Sequence, residues 1–260
     1  MTDAGTVTLV GGGPGDHGLL TADAVDALGR ADVVLYDRLA PHARLSELAP
    51  NATLIDVGKR PGHHPIGQTG IEAQIVAHAL AGANVVRFKG GDPYVFGRGS
   101  EEVLACHREG IAVSVVSGVT SAVAVPASVG IPLTHRGVAH MFTVVSGHAP
   151  LTDDEHRHLA GLGGTIVVLM GVGTLATLTQ GLLREGMDAD IPVAIIEKGF
   201  SDDQRTTISD LGSVVHVAAR VEVRSPAVLV IGRVVDLAFD GHLDAAALME
   251  RAARMAAFSD

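Results

Sequence analysis

The sequence predicts two α/β domains with mostly parallel sheets, and three observations carry that prediction. Short apolar, β-branched runs recur along all 260 residues, and they are apolar throughout instead of alternating, as strands covered on both faces are. The segments between them are too long for hairpins, and several have helical periodicity, which indicates parallel crossovers. Many of the 32 glycines fall singly or in pairs immediately after the apolar runs, where strands give way to loops.

Taken in order, Thr6 to Val10 is the first strand and runs into GGGPGDHGLLT. ADAVDALGRA follows as a helix, with Thr21 as N-cap and Asp23 in its first turn. Ala31 to Tyr36 is a second strand that ends on the charged pair Asp37-Arg38. Thr53 to Val57 is a third, ending in GKRPGHHPIGQ, and Gln68 to Leu80 has helical periodicity. A fourth strand starts at Val85 and breaks at Gly90-Gly91. Arg98 then opens a helix holding Glu101 and Cys106, and Ala112 to Val116 is a fifth strand. Ser117 to Gly137 reads as a short helix of small residues and a loop, which places the junction between a domain over 1–118 and another over 119–260. In the second domain Met141 to Ser146, Thr165 to Met170, Val193 to Glu197 and Ala227 to Ile231 read as strands. Asp153 to Ala160 and Leu175 to Arg184 read as helices, Thr206 to Ser209 is ambiguous, and His242 to Ala257 is an alanine-rich terminal helix.

A formal net charge of -10 disfavours a general nucleic-acid or anionic-membrane binder. A single cysteine, Cys106, rules out a disulfide within the chain and reads as a small packing residue in a reducing compartment. No apolar run reaches bilayer-spanning length, so a soluble cytoplasmic protein is expected.

The densest chemistry lies in Val85 to Gly99, VVRFKGGDPYVFGRG. Two glycines let backbone groups approach a ligand, Asp92 supplies a carboxylate and Pro93 stiffens the exit. In open α/β sheets ligands collect at the carboxyl ends of strands, where this loop falls. A bare Gly/Pro turn would not need Asp, Tyr, Phe and Arg so close together. Gly13 to Gly18 also matches G-x-G-x-x-G, with Asp37 about twenty residues on. A nicotinamide or flavin enzyme is therefore a competing reading, although the helix signal begins near Thr21, after the glycines, and not inside them. The phosphate-loop, G-x-S-x-G and H-E-x-x-H patterns do not occur. His63-His64 and His156-x-His158 lack a second ligand pair at suitable spacing, so they read as solvated histidines and no metal is expected. Asp37, Arg38, Lys59, Arg60, Arg98, His135 and Arg136 recur at strand exits. They form either a basic pocket for a polycarboxylate or ordinary solvated loop charge.

The motifs VGGGPGDHGLLT, DVVLYDRL, GKRPG, VVRFKGGDPYVFGRGSEE, SGVTSAVAVPASVGIPLTHRG, VVLMGV, IIEKG and SPAVLVIGRVV occur in that order from Val7 to Val235. Together they resemble the tetrapyrrole methylases. GGDPYVFGRG with LTHRG favours the branch acting on uroporphyrinogen over the cobalamin-ring and diphthamide methylases. The resemblance implies two α/β domains with S-adenosylmethionine in the cleft between them, and S-adenosylhomocysteine as the spent cofactor. It implies cofactor contacts from Pro14, Gly90, Gly91, Asp92, Val95, Thr120, Ser121, Met170 and Gly199. Asp37 would be the proton acceptor and Lys59 the proton donor, with Arg98 and Arg136 facing uroporphyrinogen III. Two methyl transfers would yield precorrin-2, and a homodimer is implied. A cobalamin-ring methylase, a hydride-transfer enzyme and a non-catalytic tetrapyrrole-binding module are the alternatives.

Overall fold

The computed structural model describes residues 4–58 and 67–238, and the chain divides into two compact units that meet between Thr120 and Ser121. The expected terminal helix at 242–257 and the His63-His64 pair lie outside the described residues.

The first unit contains β1 (Thr6–Gly11), α1 (Ala22–Gly29), β2 (Val33–Tyr36), α2 (Leu45–Leu48), β3 (Thr53–Asp56), α3 (Gln68–Leu80), β4 (Val85–Lys89), α4 (Gly99–Arg108) and β5 (Ala112–Val116). α1 starts where its cap requires: the Thr21 hydroxyl accepts a hydrogen bond from the Ala24 amide at 3.2 Å. The sheet order is β3-β2-β4-β1-β5, and every pairing is parallel. Apolar side chains from alternate strand positions fill both faces. Leu9, Leu35, Val85 and Ile75 pack on one side with Cys106, while Val10, Val34, Val86, Phe88 and Leu28 pack on the other. Cys106 is thus the packing residue its helical context suggests, and burial pushes its thiol up.

The second unit contains α5 (Ser121–Ser128), β6 (Phe142–Ser146), α6 (Asp153–Leu162), β7 (Thr165–Leu169), α7 (Leu175–Arg184), β8 (Pro192–Glu197), β9 (Arg205–Asp210), α8 (Val214–Arg220) and β10 (Ala227–Ile231). Its sheet runs β6-β7-β10-β8-β9. β6 pairs parallel with β7, whereas β7–β10, β10–β8 and β8–β9 are antiparallel. Mostly parallel pairing therefore holds for the molecule taken together and for the first sheet, and the second sheet is mixed. For β8 and β9 the physical reason is local: the ambiguous Thr206 to Ser209 stretch becomes the edge strand β9, joined to β8 by a loop too short for a crossover, whereas β10 reaches its antiparallel places beside β7 and β8 from farther along the chain. The alternation of exposed and half-buried residues along β9 suits an edge strand with one wet face.

His156 departs from expectation. It is buried, because α6 lays its ring against Gly181 of α7, where a Cβ would stand 2.2 Å from the imidazole carbon Cδ2. His158 is exposed as expected.

Glu197 closes β8 with a nearly buried carboxylate that accepts two bonds from the Arg205 guanidinium, at 2.7 and 2.9 Å, and one from the Arg224 amide at 2.8 Å. Burial pushes this carboxyl up, but the Arg205 and Arg224 hydrogen bonds outweigh it and hold the group below its ordinary value of 4.5. A carboxyl depressed in the folded state contributes stability that is full above its unfolded value and is lost as pH falls through the folded one. The melting temperature of Glu197→Gln is thus expected to lie below the parent's near neutral pH. The gap should narrow on acidification, and a gap independent of pH would contradict the assignment.

Candidate functional site

The carboxyl ends of β1, β4 and β5 converge on backbone. Gly12 N donates to Lys89 O at 2.7 Å, and Gly13 and Gly91 exchange hydrogen bonds of 3.1 and 2.6 Å. A Cβ on Gly118 would lie 2.3 Å from Gly91 O and 2.6 Å from Gly11 C, so these three exits touch main chain to main chain. Asp92 locks the arrangement. Its Oδ2 accepts from Gly118 N at 3.1 Å, and its Oδ1 accepts from Tyr94 N at 2.8 Å. Pro14, Gly90, Gly91, Asp92 and Val95 are all partly exposed around this junction, as is Thr120 after β5. α1 begins at Ala22, beyond the glycines at 11–18, and only a three-residue 3-10 turn, His17–Leu19, starts within the G-x-G-x-x-G pattern, so no α-helix N-terminus opens there. That removes the geometry a dinucleotide pyrophosphate needs.

Asp37 stands at the exit of β2, whose loop packs on the exit of β4: a Cβ at Gly90 would meet the Leu39 backbone at 2.8 Å. The carboxylate is fixed at both oxygens. Oδ1 accepts from the Leu39 and Ala40 amides, each at 3.1 Å, and Oδ2 accepts from Arg87 Nη2 at 3.3 Å.

Behind Asp37 lies a charged cluster that the sequence reading missed. Arg87 and Lys89 alternate with Val86 and Phe88 on β4, and both cations are buried, as is Glu102 of α4. Arg87 Nε donates to Glu102 Oε1 at 3.0 Å, and Lys89 Nζ donates to both Glu102 oxygens at 3.1 and 3.0 Å. Burial, and then the neighbouring Arg87 charge, push the Lys89 ammonium below its ordinary value of 10.5 against the opposing pull of Glu102. The signal was present in VVRFK, where two basic residues two apart in an apolar run must share one covered face.

Arg98 caps α4 from a left-handed conformation, φ 58°, and forms a two-point pair with Glu101 at 2.8 and 2.7 Å. Both side chains are about half exposed. Lys59 and Arg60 fall outside the described residues.

In the second unit, Ser121 is the first residue of α5, and Arg136 is exposed in the turn closed by the His135–Ala139 bridge. Met170 follows β7 with φ 60° and an exposed side chain. Gly199 follows β8 between two more left-handed residues, Lys198 at φ 47° and Phe200 at φ 64°. Non-glycine residues in this region are uncommon and concentrate at ligand sites, and here they mark the two strand exits that the motifs single out. Gly199 must be glycine for packing as well, since a Cβ would stand 2.6 Å from Val125 Cγ2. Among the described residues no group of three or more His, Cys, Asp or Glu side chains could hold a metal ion, and no helix is long and apolar enough to cross a membrane.

Residues 6–215 match the profile of the tetrapyrrole (corrin/porphyrin) methylases. The chain is 45% identical to the S-adenosyl-L-methionine-dependent uroporphyrinogen III methyltransferase of Methanosarcina barkeri, over 90% of this chain and 93% of that protein. Its structure is similar to that of the uroporphyrin-III C-methyl transferase of Thermus thermophilus complexed with S-adenyl homocysteine. The TM-score there is 0.75 and the identity 43%, over 89% of this chain and 99% of that one. The siroheme synthase of Edwardsiella ictaluri is 44% identical over 90% of this chain, which spans only 51% of that longer protein.

Proposed function

Because the chain belongs to the tetrapyrrole methylases, we propose that it is a uroporphyrinogen-III C-methyltransferase. It transfers two methyl groups from S-adenosylmethionine to uroporphyrinogen III and yields precorrin-2, a precursor for sirohaem and cobalamin. The observation that carries this reading is the doubly anchored Asp37 carboxylate, set at a strand exit that packs against the Gly90-Gly91-Asp92 loop. The related uroporphyrin-III C-methyl transferase structure with S-adenyl homocysteine supports the choice of cofactor.

S-adenosylmethionine, when bound, supplies an electrophilic methyl group on a sulfonium centre. The residues present suit such a ligand. The site offers main-chain donors and acceptors at glycine exits and no phosphate-binding helix end, which fits an amino acid and a nucleoside without phosphate. Pro14, Gly90, Gly91, Asp92, Val95, Thr120, Ser121, Met170 and Gly199 would hold it. Methyl transfer is an in-line displacement, so holding the two reacting carbons near attack distance is the protein's main contribution. Asp37 accepts the proton lost from the macrocycle and Lys59 donates one, as general base and acid. Arg98 and Arg136 orient the carboxylates of the tetrapyrrole through charge-assisted hydrogen bonds. The active unit is a homodimer in the cytoplasm.

The test is an oxygen-free incubation with uroporphyrinogen III and S-adenosylmethionine, followed by mass spectrometry of the tetrapyrrole. A gain of two methyl groups is expected. Binding of S-adenosylmethionine without methyl gain would leave the fold and cofactor standing and overturn the acceptor.

Asp92 separates cofactor binding from chemistry. Asp92→Ala removes the bonds to Gly118 N and Tyr94 N, each worth about 1.5–3 kcal/mol for a charged acceptor, and frees the loop. Calorimetric titration is expected to show affinity for S-adenosylmethionine weakened about tenfold or more, with a smaller change in turnover at saturation. Unchanged affinity would remove Asp92 from the cofactor site.

A further inference from the structure

We propose that Arg87 is a positioning residue for Asp37 and that Glu102 holds Arg87 in place for it. The inference rests on the reading of Asp37 as the proton acceptor and names what gives that carboxylate its direction.

The guanidinium of Arg87 is almost wholly enclosed and is pinned at three points besides Asp37. Nε donates to Glu102 Oε1 at 3.0 Å, and Nη1 donates to two main-chain carbonyls, Leu35 O of β2 at 3.3 Å and Phe88 O of β4 at 2.9 Å. A planar fork held in this way has no rotational freedom left, so its remaining arm, Nη2, reaches Asp37 Oδ2 in a set direction. Glu102, fully buried, is surrounded by donors from Arg87, Lys89 and Gln68. Asp37 is the only one of the four charged groups with appreciable exposure, its side chain being 29% accessible against 4% for Arg87 and 0% for Glu102. The cluster is thus closed on the sheet side and open only at the carboxylate.

Stability alone does not account for this arrangement. A buried ion cluster replaced by well-packed apolar residues is often as stable or more so, and the same face of β4 carries Val85 in the apolar core. The charges balance only across all four groups: Arg87 and Lys89 are offset by Glu102 together with Asp37. The backbone amides of Leu39 and Ala40 hold Oδ1, and Arg87 fixes Oδ2 while leaving that oxygen room for a further partner. Without Arg87 the carboxyl would keep its Oδ1 anchor but lose the donor that locates Oδ2.

A double-mutant cycle tests the inference. Turnover and S-adenosylmethionine affinity are measured for Asp37→Asn, Arg87→Gln and the two combined. Arg87→Gln is expected to lower kcat about 10- to 100-fold with little change in cofactor affinity, and the combined variant should be no slower than Asp37→Asn alone, because residues acting as a unit are non-additive. A merely structural Arg87 would give effects that multiply, or a loss of cofactor affinity in step with kcat, and either result overturns the positioning role. Full turnover by Asp37→Asn would instead remove Asp37 as proton acceptor, and the role of Arg87 with it. Should Arg87→Gln not fold, Glu102→Gln, isosteric and still an acceptor for Arg87, takes its place in the same cycle with the same expected non-multiplication.

Discussion

Asp37→Asn is expected to lower turnover by about 10²- to 10⁴-fold, the range a positioned general base contributes, while leaving affinity for S-adenosylmethionine little changed. Asparagine keeps an oxygen for the Leu39 and Ala40 amides, so the loop after β2 stays in place and only the proton-accepting capacity is lost. Single-turnover kinetics with calorimetric titration of the cofactor would check it. Equal losses in turnover and in affinity would mean that Asp37 builds the cofactor site and does not move a proton. Lys59→Ala is expected to behave in the same way, with turnover falling and cofactor affinity preserved.

Gly118→Ala is expected to damage both the stability of the first unit and its cofactor loop. The added Cβ would lie 2.3 Å from Gly91 O, 2.6 Å from Gly11 C and 2.7 Å from Gly11 Cα, all main-chain atoms that no rotamer change can relieve. Three strand exits would have to separate, and with them the Asp92 bond to Gly118 N. Overpacking costs of about 3 kcal/mol or more are expected where backbone must move, a fall in melting temperature of about 6–12 °C for a chain of this size. S-adenosylmethionine affinity should fall with it, because the displaced loop is the proposed cofactor loop. Gly161→Ala in α6 is the control. Nothing lies within 4 Å of its added Cβ, and alanine for glycine in a helix is expected to stabilise by about 0.5–1 kcal/mol. Similar destabilisation in both variants would show that the backbone contact at Gly118 has no special weight.

Much of the site was legible before any coordinates. The GGDP loop and the charged residue after β2 follow apolar runs, and a run ending in Gly or a charge reports where a buried strand meets solvent, whereas Met170 and Gly199 were named only through the family motifs and the left-handed backbone of Met170, Lys198 and Phe200 was not read at all. The late helix start near Thr21 also correctly weakened the dinucleotide reading, since α1 begins at Ala22. The Arg87–Lys89–Glu102 cluster was not read as functional. Its members lie in different elements, and a basic residue inside an apolar strand gives no hint of which carboxylate answers it.

The sequence by itself determined most of the strand and helix segments, though not α2, α8 or β9, together with the glycine exits, the family motifs and the chemical types at the site, because these depend on local periodicity, caps and turn residues. Strand direction in the second sheet was left to tertiary structure: β10 pairs with β7 and β8, far from it along the chain, and both pairings are antiparallel. Long-range packing also buried His156 against Gly181 and gathered Asp37, Lys89 and Glu102 around Arg87. Burial and partner choice are properties of the assembled sheet and helices, because the cost of an unpaired charge or an extra methyl is set by which atoms arrive from elsewhere in the chain.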